Sequence, residues 1–197
     1  MSTRVPTTEI TGLRGALVKR FAKKTIGQVP EPLGIYWHNP KVLRGYIALG
    51  SKSKKWDACD RSLKSFAHMA VASLVGCTWC LDFGYFEAHN ENLDVEKARE
   101  VPRWRESTVF TPLERDVMAY AEAMSQTPPT VTDELSARLL EQLGAPAMVE
   151  LTSFIALANV YTRSNVAFGI ESDGFAKACG LKPLAEPTAA PRVASAA

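Results

Sequence analysis

Apolar residues recur along this chain at spacings of three and four, the signature of helices that bury one face. Within residues 57–75, Leu63, Phe66, Ala67, Ala70 and Leu74 share one side, and no proline or glycine interrupts them, so the segment predicts a helix. Gly76 ends or bends it, and CTWCLDFGYFEAHN (77–90) predicts a second helix immediately after. Upstream, NPKVLRGYIALG (39–50) predicts a short helix opened by Asn39–Pro40 and closed by Gly50. Residues 94–100 form a short polar helix stopped by Pro102. Thr111, Pro112 and Glu114 carry a capping-box signature, so a helix runs on through LERDVMAYAEAM. Thr132, Asp133 and Glu134 open another that Gly144 closes, and Pro146 starts a long apolar helix to about residue 170. No pair of alternating segments is joined by a hairpin turn. The predicted fold class is all-α.

The ends of the chain differ from this middle. Residues 1–32 form an arm, ended by Pro30 and Pro32, in which Leu13, Leu17 and Phe21 stand at i, i+4 and i+8 among Arg14, Lys19, Arg20, Lys23 and Lys24. That is a basic amphipathic helix, suited to an anionic partner or membrane surface, or to packing on its own domain or a neighbouring subunit. Its few apolar anchors favour packing. Residues 33–182 form the domain. The Pro/Ala-rich stretch 183–197 has no periodicity and is expected to be extended or disordered.

Composition removes several function classes. Hydrophobic residues make up 46% of the 197, enough for a sizeable core, and the net charge of +2 argues against nucleic acid as a partner. No run reaches the roughly 18 apolar residues of a membrane span. MSTRVPTTEI has no apolar stretch of the kind a secretory signal requires, so the expected location is the cytoplasm, where thiols stay reduced.

In that setting the cysteines become informative. There are four, Cys59, Cys77, Cys80 and Cys179, and only Cys77 and Cys80 are close in sequence. His38, His68 and His89 form no zinc-type pair, so neither a metal nor another bound cofactor is expected. A C-x-x-C at a helix start suits thiol–disulfide chemistry. Helix N–H groups lower a thiol pKa there, and residues i and i+3 are within disulfide reach. Core packing is the competing reading, because free cysteine is among the most buried residues.

The surrounding residues carry a resemblance. LKSFAHMAVASLVGC leads into the C-x-x-C pair with Trp79 in the gap. TPLERDVMAYAEAM, VTDELSARLLEQLG and VELTSFIALANVYTRSNVAFG follow, the last with Asn159 and Arg163 in an N-x3-R pattern. Over about residues 35–175 the chain resembles the alkylhydroperoxidase D / carboxymuconolactone decarboxylase superfamily. The resemblance implies an all-α bundle assembled as a homo-oligomer, a trimer, hexamer or dimer. One branch reduces hydroperoxides, or disulfides on a carrier protein, and is recharged by an external thiol reductant. The other decarboxylates a lactone acid and typically lacks the cysteine pair. The pair favours the first branch, with Cys80 attacking and Cys77 resolving by analogy, although a helix dipole equally favours Cys77 as the thiolate. A non-catalytic helical oligomer that binds an apolar ligand is the third reading.

The chain departs from the peroxidase pattern at two places. Ser65 stands where that branch has a proton-relay Glu, and Gly84 where it has a relay His. Two substitutes lie on the same helical faces: His68, three residues after Ser65, and Glu87, three after Gly84. Asp82 points away from that stripe, and His89 lies roughly 140° around it. The expected catalytic set is Cys77, Cys80, His68 and Glu87, with Trp79 narrowing the entrance. Asn159, Tyr161, Arg163 and Asn165 form a polar group in an apolar helix, where Arg163 calls for a buried partner such as Glu150 or Asp82, or a role lining the cysteine pocket.

Overall fold

The computed structural model describes residues 3–186, which contain nine α-helices and no strand. In order they are α1 (Gly12–Ile26), α2 (Glu31–Tyr36), α3 (Pro40–Ser53), α4 (Arg61–Val75), α5 (Thr78–Asn90), α6 (Val95–Glu100), α7 (Pro112–Ser125), α8 (Asp133–Phe168) and α9 (Phe175–Ala178).

Local chemistry sets the boundaries. The Asp60 carboxylate accepts from Ser62 N–H at 2.7 Å and Leu63 N–H at 3.3 Å, so α4 starts at Arg61 rather than at residue 57. Gly76, at φ 80°, ends it. The Thr111–Glu114 capping box forms in both directions and opens α7. α8 breaks at Gly144 (φ 75°, ψ 162°), just before Pro146, as its sequence predicts. Two boundaries differ from expectation. α3 continues past Gly50 to Ser53, because Gly50 is small for packing: a Cβ there would lie 3.2 Å from the Tyr161 hydroxyl. α2 forms where Pro30 and Pro32 suggest a break, since proline in a first helical turn opens a helix. α2 thus crosses residue 32, where the arm was expected to end.

The core is built around α4, which packs against α5, α7 and α8. Phe66, Ala67, Met69, Ala70 and Val71 are completely buried there. α8 has the length and composition of a membrane-crossing helix. Its Leu139, Leu151 and Ile155 are instead wholly buried in the protein core, and it also buries Glu150, Thr162 and Asn165. α1 docks through Gly15, Val18 and Ala22 and leaves Leu13, Leu17 and Phe21 outward. The start of the Pro/Ala-rich stretch is fixed on α6, where Arg99 donates to the Pro183 carbonyl and Ala185 N–H donates to that of Arg99. Residues 187–197 lie outside the described residues.

One buried ion pair ties α4 to α8. Lys64 Nζ lies 2.5 Å from Glu150 Oε1, with both side chains 8% exposed. Lys64 also donates to the Trp56 carbonyl, and Ala58 N–H donates to Glu150 Oε2, so the loop before α4 is held by the same pair. Burial works to raise the Glu150 carboxyl pKa, but Lys64 and backbone N–H groups outweigh it and hold the value below normal. Removing one partner strands a buried charge, a loss of about 3–5 kcal/mol. Lys64→Ala should therefore lower the urea-unfolding free energy by about that much, while Lys64→Met with Glu150→Leu should lose far less.

Candidate functional site

The turn between α4 and α5 places the cysteine pair. Gly76 reverses the chain, and Cys77 N–H returns to the Ala72 carbonyl at 2.9 Å. Cys77 then occupies the N-cap of α5, where its sulfur accepts the Cys80 N–H at 3.2 Å. The two Cα atoms are 5.3 Å apart and the sulfurs are joined as a disulfide. Both residues are 1% exposed, packed among Ala72, Trp79, Leu81 and Val166. Each sulfur has one N–H donor: Cys77 the helix backbone, and Cys80 the Asn165 side-chain amide at 3.4 Å. Such donors favour a thiolate over a thiol.

His68 lies one helical turn along from this point. α4 and α5 run back against each other, so Ala72 faces Cys80 and His68 faces Gly84. A Cβ on Gly84 would lie 3.2 Å from His68 Nδ1 and 2.9 Å from Met69 Cγ. The imidazole of α4 therefore fills the space that a side chain at 84 would take. Gly84 is one turn beyond Cys80, about 6 Å along the helix. His68 makes no hydrogen bond to another described residue. It is half-buried, and desolvation pushes its pKa down to about 4, so it is a neutral imidazole at physiological pH.

A second layer closes over the pair. Trp79 stacks on Phe83 with centroids 4.8 Å apart, meets Phe175 edge-on, and donates its indole N–H to Asp173 at 2.7 Å. Asp82 points away from the sulfurs and is buried. Its carboxylate accepts from Ser172 Oγ, Phe175 N–H and Ala176 N–H, fastening the segment before α9 over the first turn of α5.

The remaining candidates lie elsewhere. Glu87 is ion-paired with Lys54 at 2.6 Å, joining α5 to the end of α3. Arg163 is exposed, and neither Glu150 nor Asp82 is its partner: Glu150 pairs with Lys64, and Asp82 holds the segment before α9. Arg163 donates instead to Asn159 Oδ1 and to the Ser125 carbonyl, capping the end of α7. Tyr161 donates to the Tyr46 carbonyl. Of that polar group only Asn165 reaches a sulfur. Its sequence signal was a small amide set in an apolar helix, which marks burial without saying against what. An open cleft of about 490 Å³ is bounded by Arg4, Arg163, Leu74 and Val166, of which Val166 also packs against the cysteine pair. Cys59 is a buried free thiol pushed up to about 11, chiefly by burial, and Cys179 is exposed. Among the described residues no three His, Cys, Asp or Glu side chains converge as a metal site would need.

The sequence profile of the carboxymuconolactone decarboxylase family matches residues 40–123, which span α3, the α4–α5 hairpin and most of α7. YnjA of Escherichia coli strain K12, an uncharacterized protein, is 33% identical over 158 residues, 79% of this chain and 86% of that one. The chain belongs to the carboxymuconolactone decarboxylase family. Solved structures share the fold at lower identity. A peroxidase-related protein of Ralstonia eutropha JMP134 with an alkylhydroperoxidase AhpD core superposes with a TM-score of 0.74 at 16% identity, covering 89% of this chain and 95% of its own. A Cys-to-Ala variant of the debrominase Bmp8, in complex with 2,3,4-tribromopyrrole, gives a TM-score of 0.77 at 20% identity, covering 90% and 96%. Within this family fold, the present chain carries a C-x-x-C pair at the start of α5 and, on α4, His68 facing Gly84.

The depressed His68 pKa makes stability pH-dependent. The unfolded chain binds this proton at about pH 6.5 and the folded chain only near 4, so acidification through that window favours unfolding. The effect is absent above the window, grows as pH falls, and is complete below it at up to about 3 kcal/mol. His68→Gln should flatten the acid limb by that amount in urea unfolding at neutral pH and near pH 4.

Proposed function

We propose that this chain is a thiol-dependent oxidoreductase that reduces a hydroperoxide, or a disulfide on a carrier, by cycling Cys77 and Cys80 between dithiol and disulfide. The observation that carries the reading is the linked pair at the N-terminus of α5, with an N–H donor on each sulfur and a neutral imidazole one turn away.

With a hydroperoxide the steps balance as follows. His68, one turn from Cys80, accepts the Cys80 proton through a bridging water. The thiolate attacks the terminal peroxide oxygen, the O–O bond breaks, and the alkoxide leaves as alcohol with the proton from His68. Cys80 is now a sulfenic acid. Cys77 loses its proton and attacks the Cys80 sulfur. The S–S bond forms and hydroxide leaves as water. Two thiols and one peroxide give one disulfide, one alcohol and one water. An external dithiol then reopens the pair by exchange. A pKa near 4 describes His68 beside an uncharged disulfide. A thiolate one turn away favours the imidazolium, which is the change a proton carrier requires.

The aromatic wall of Trp79, Phe83 and Phe175 suits an apolar substrate body. Assembly as a homo-oligomer belongs to the same reading. Decarboxylation of a lactone acid is a weaker alternative. It needs a cation for the carboxylate, and the side chains that could serve, Arg4 and Arg163 in the cleft, are engaged with helix-end carbonyls.

Fully reduced protein given one equivalent of an organic hydroperoxide should lose two of its four thiols, and peptide mapping should show a Cys77–Cys80 link. Cys77→Ser or Cys80→Ser should abolish catalytic turnover with a dithiol reductant. Survival of both thiols would contradict the proposal. Activity retained in the doubly substituted Cys77→Ser/Cys80→Ser protein would favour the lyase reading.

A further inference from the structure

α1 buries the wrong face for a helix meant only to cover its own domain. Its small residues Gly15 and Ala22 are packed inward, with Val18 beside them, while Leu13, Leu17 and Phe21 are 81%, 61% and 69% exposed. These three occupy an arc of roughly 80° along about 12 Å of helix. Arg14 borders one edge of the stripe, Arg20 and Lys23 the other, and Lys24 lies at its C-terminal end. With Lys19 that makes five cations, and the helix contains no acidic residue. None of the five takes part in an ion pair with another described residue.

We propose that α1 docks this protein on an anionic lipid surface, its apolar stripe in the headgroup boundary and its cations on the lipid phosphates and carboxylates. An apolar stripe bordered by long basic side chains is the pattern of a helix lying in a membrane interface. A two-fold contact with a second α1 fits less well, because it sets five cations against five. Three side chains also fall well short of the ~800 Å² per partner of a stable protein complex.

The docking helix is wired to the thiol site. Just past its C-cap Gly27, Gln28 donates to the Asp173 carbonyl at 3.4 Å, and Glu31 N–H donates to the Asp173 carboxylate at 3.2 Å. The same carboxylate oxygen accepts the Trp79 indole N–H. A surface bound by α1 is therefore one short segment away from the side chain that covers the cysteine pair. Lipid binding itself does not depend on the redox reading.

The test is co-sedimentation of the full chain, without peroxide, with phosphatidylserine-rich vesicles and with neutral phosphatidylcholine vesicles. Binding should be at least about tenfold tighter to the anionic vesicles and fall about tenfold or more in Leu17→Ser/Phe21→Ser and in Lys23→Gln/Lys24→Gln. High salt should weaken it. Because these side chains are exposed, both variants should keep the parent melting temperature and the parent thiol chemistry. Equal binding to neutral vesicles, undiminished binding by either variant, or no binding would overturn the proposal. So would conversion of a soluble oligomer to monomer by Leu17→Ser/Phe21→Ser without vesicle binding, which would assign the stripe to a protein contact.

Discussion

The closeness of α4 and α5 at Gly84 is the constraint on which the site depends. With no Cβ at 84 the two helices approach until the His68 ring and Met69 Cγ occupy the space. The same hairpin, reversed at Gly76, sets Cys77 at the N-cap of α5 and Ala72 against the sulfurs. A side chain at 84 would push His68 aside, because protein interiors of this density do not absorb an added methyl without movement. Glycine at 84 and histidine at 68 are therefore one structural feature, supplied by two helices.

That hairpin is held from both sides. Behind it, Lys64 and Glu150 join α4 to α8, and the desolvation cost of two buried charges is met by their short contact and by backbone partners. In front, the Asp82 carboxylate holds the segment before α9 with three donors, and Asp173 anchors Trp79. Asn165 reaches Cys80 from α8, so both sulfurs are oriented by groups that belong to the framework. The disulfide is buried, with Trp79, Leu81 and Val166 packed against it and His68 one turn further along the hairpin.

Much of the fold was legible because it rests on local rules. The periodicity of α4, α7 and α8, the Thr111 capping box and the break at Gly144 each follow from a few adjacent residues. Gly50 was misleading because glycine serves both as a helix stop and as a contact residue, and here it makes room for Tyr161. Pro30 and Pro32 misled in the same way, since a proline can close one helix and open the next. In the site, the cysteine pair was visible from its spacing, whereas the placement of Asn165, Arg163 and Glu87 depends on partners 33 or more residues away. The apposition of His68 and Gly84 is decided by packing between helices, which no local pattern encodes.

The most direct test of the account moves the imidazole back. The measurement is the single-turnover rate at which reduced Cys77 and Cys80 become a disulfide with a hydroperoxide, followed across pH. His68→Ala should slow it by about 10²-fold or more, the usual worth of a positioned acid–base group. His68→Ala combined with Gly84→His, in which the Met69 side chain must also shift to admit the new Cβ, should recover part of the loss. A His68→Ala protein that oxidises at the parent rate, with the parent pH profile, would contradict the account.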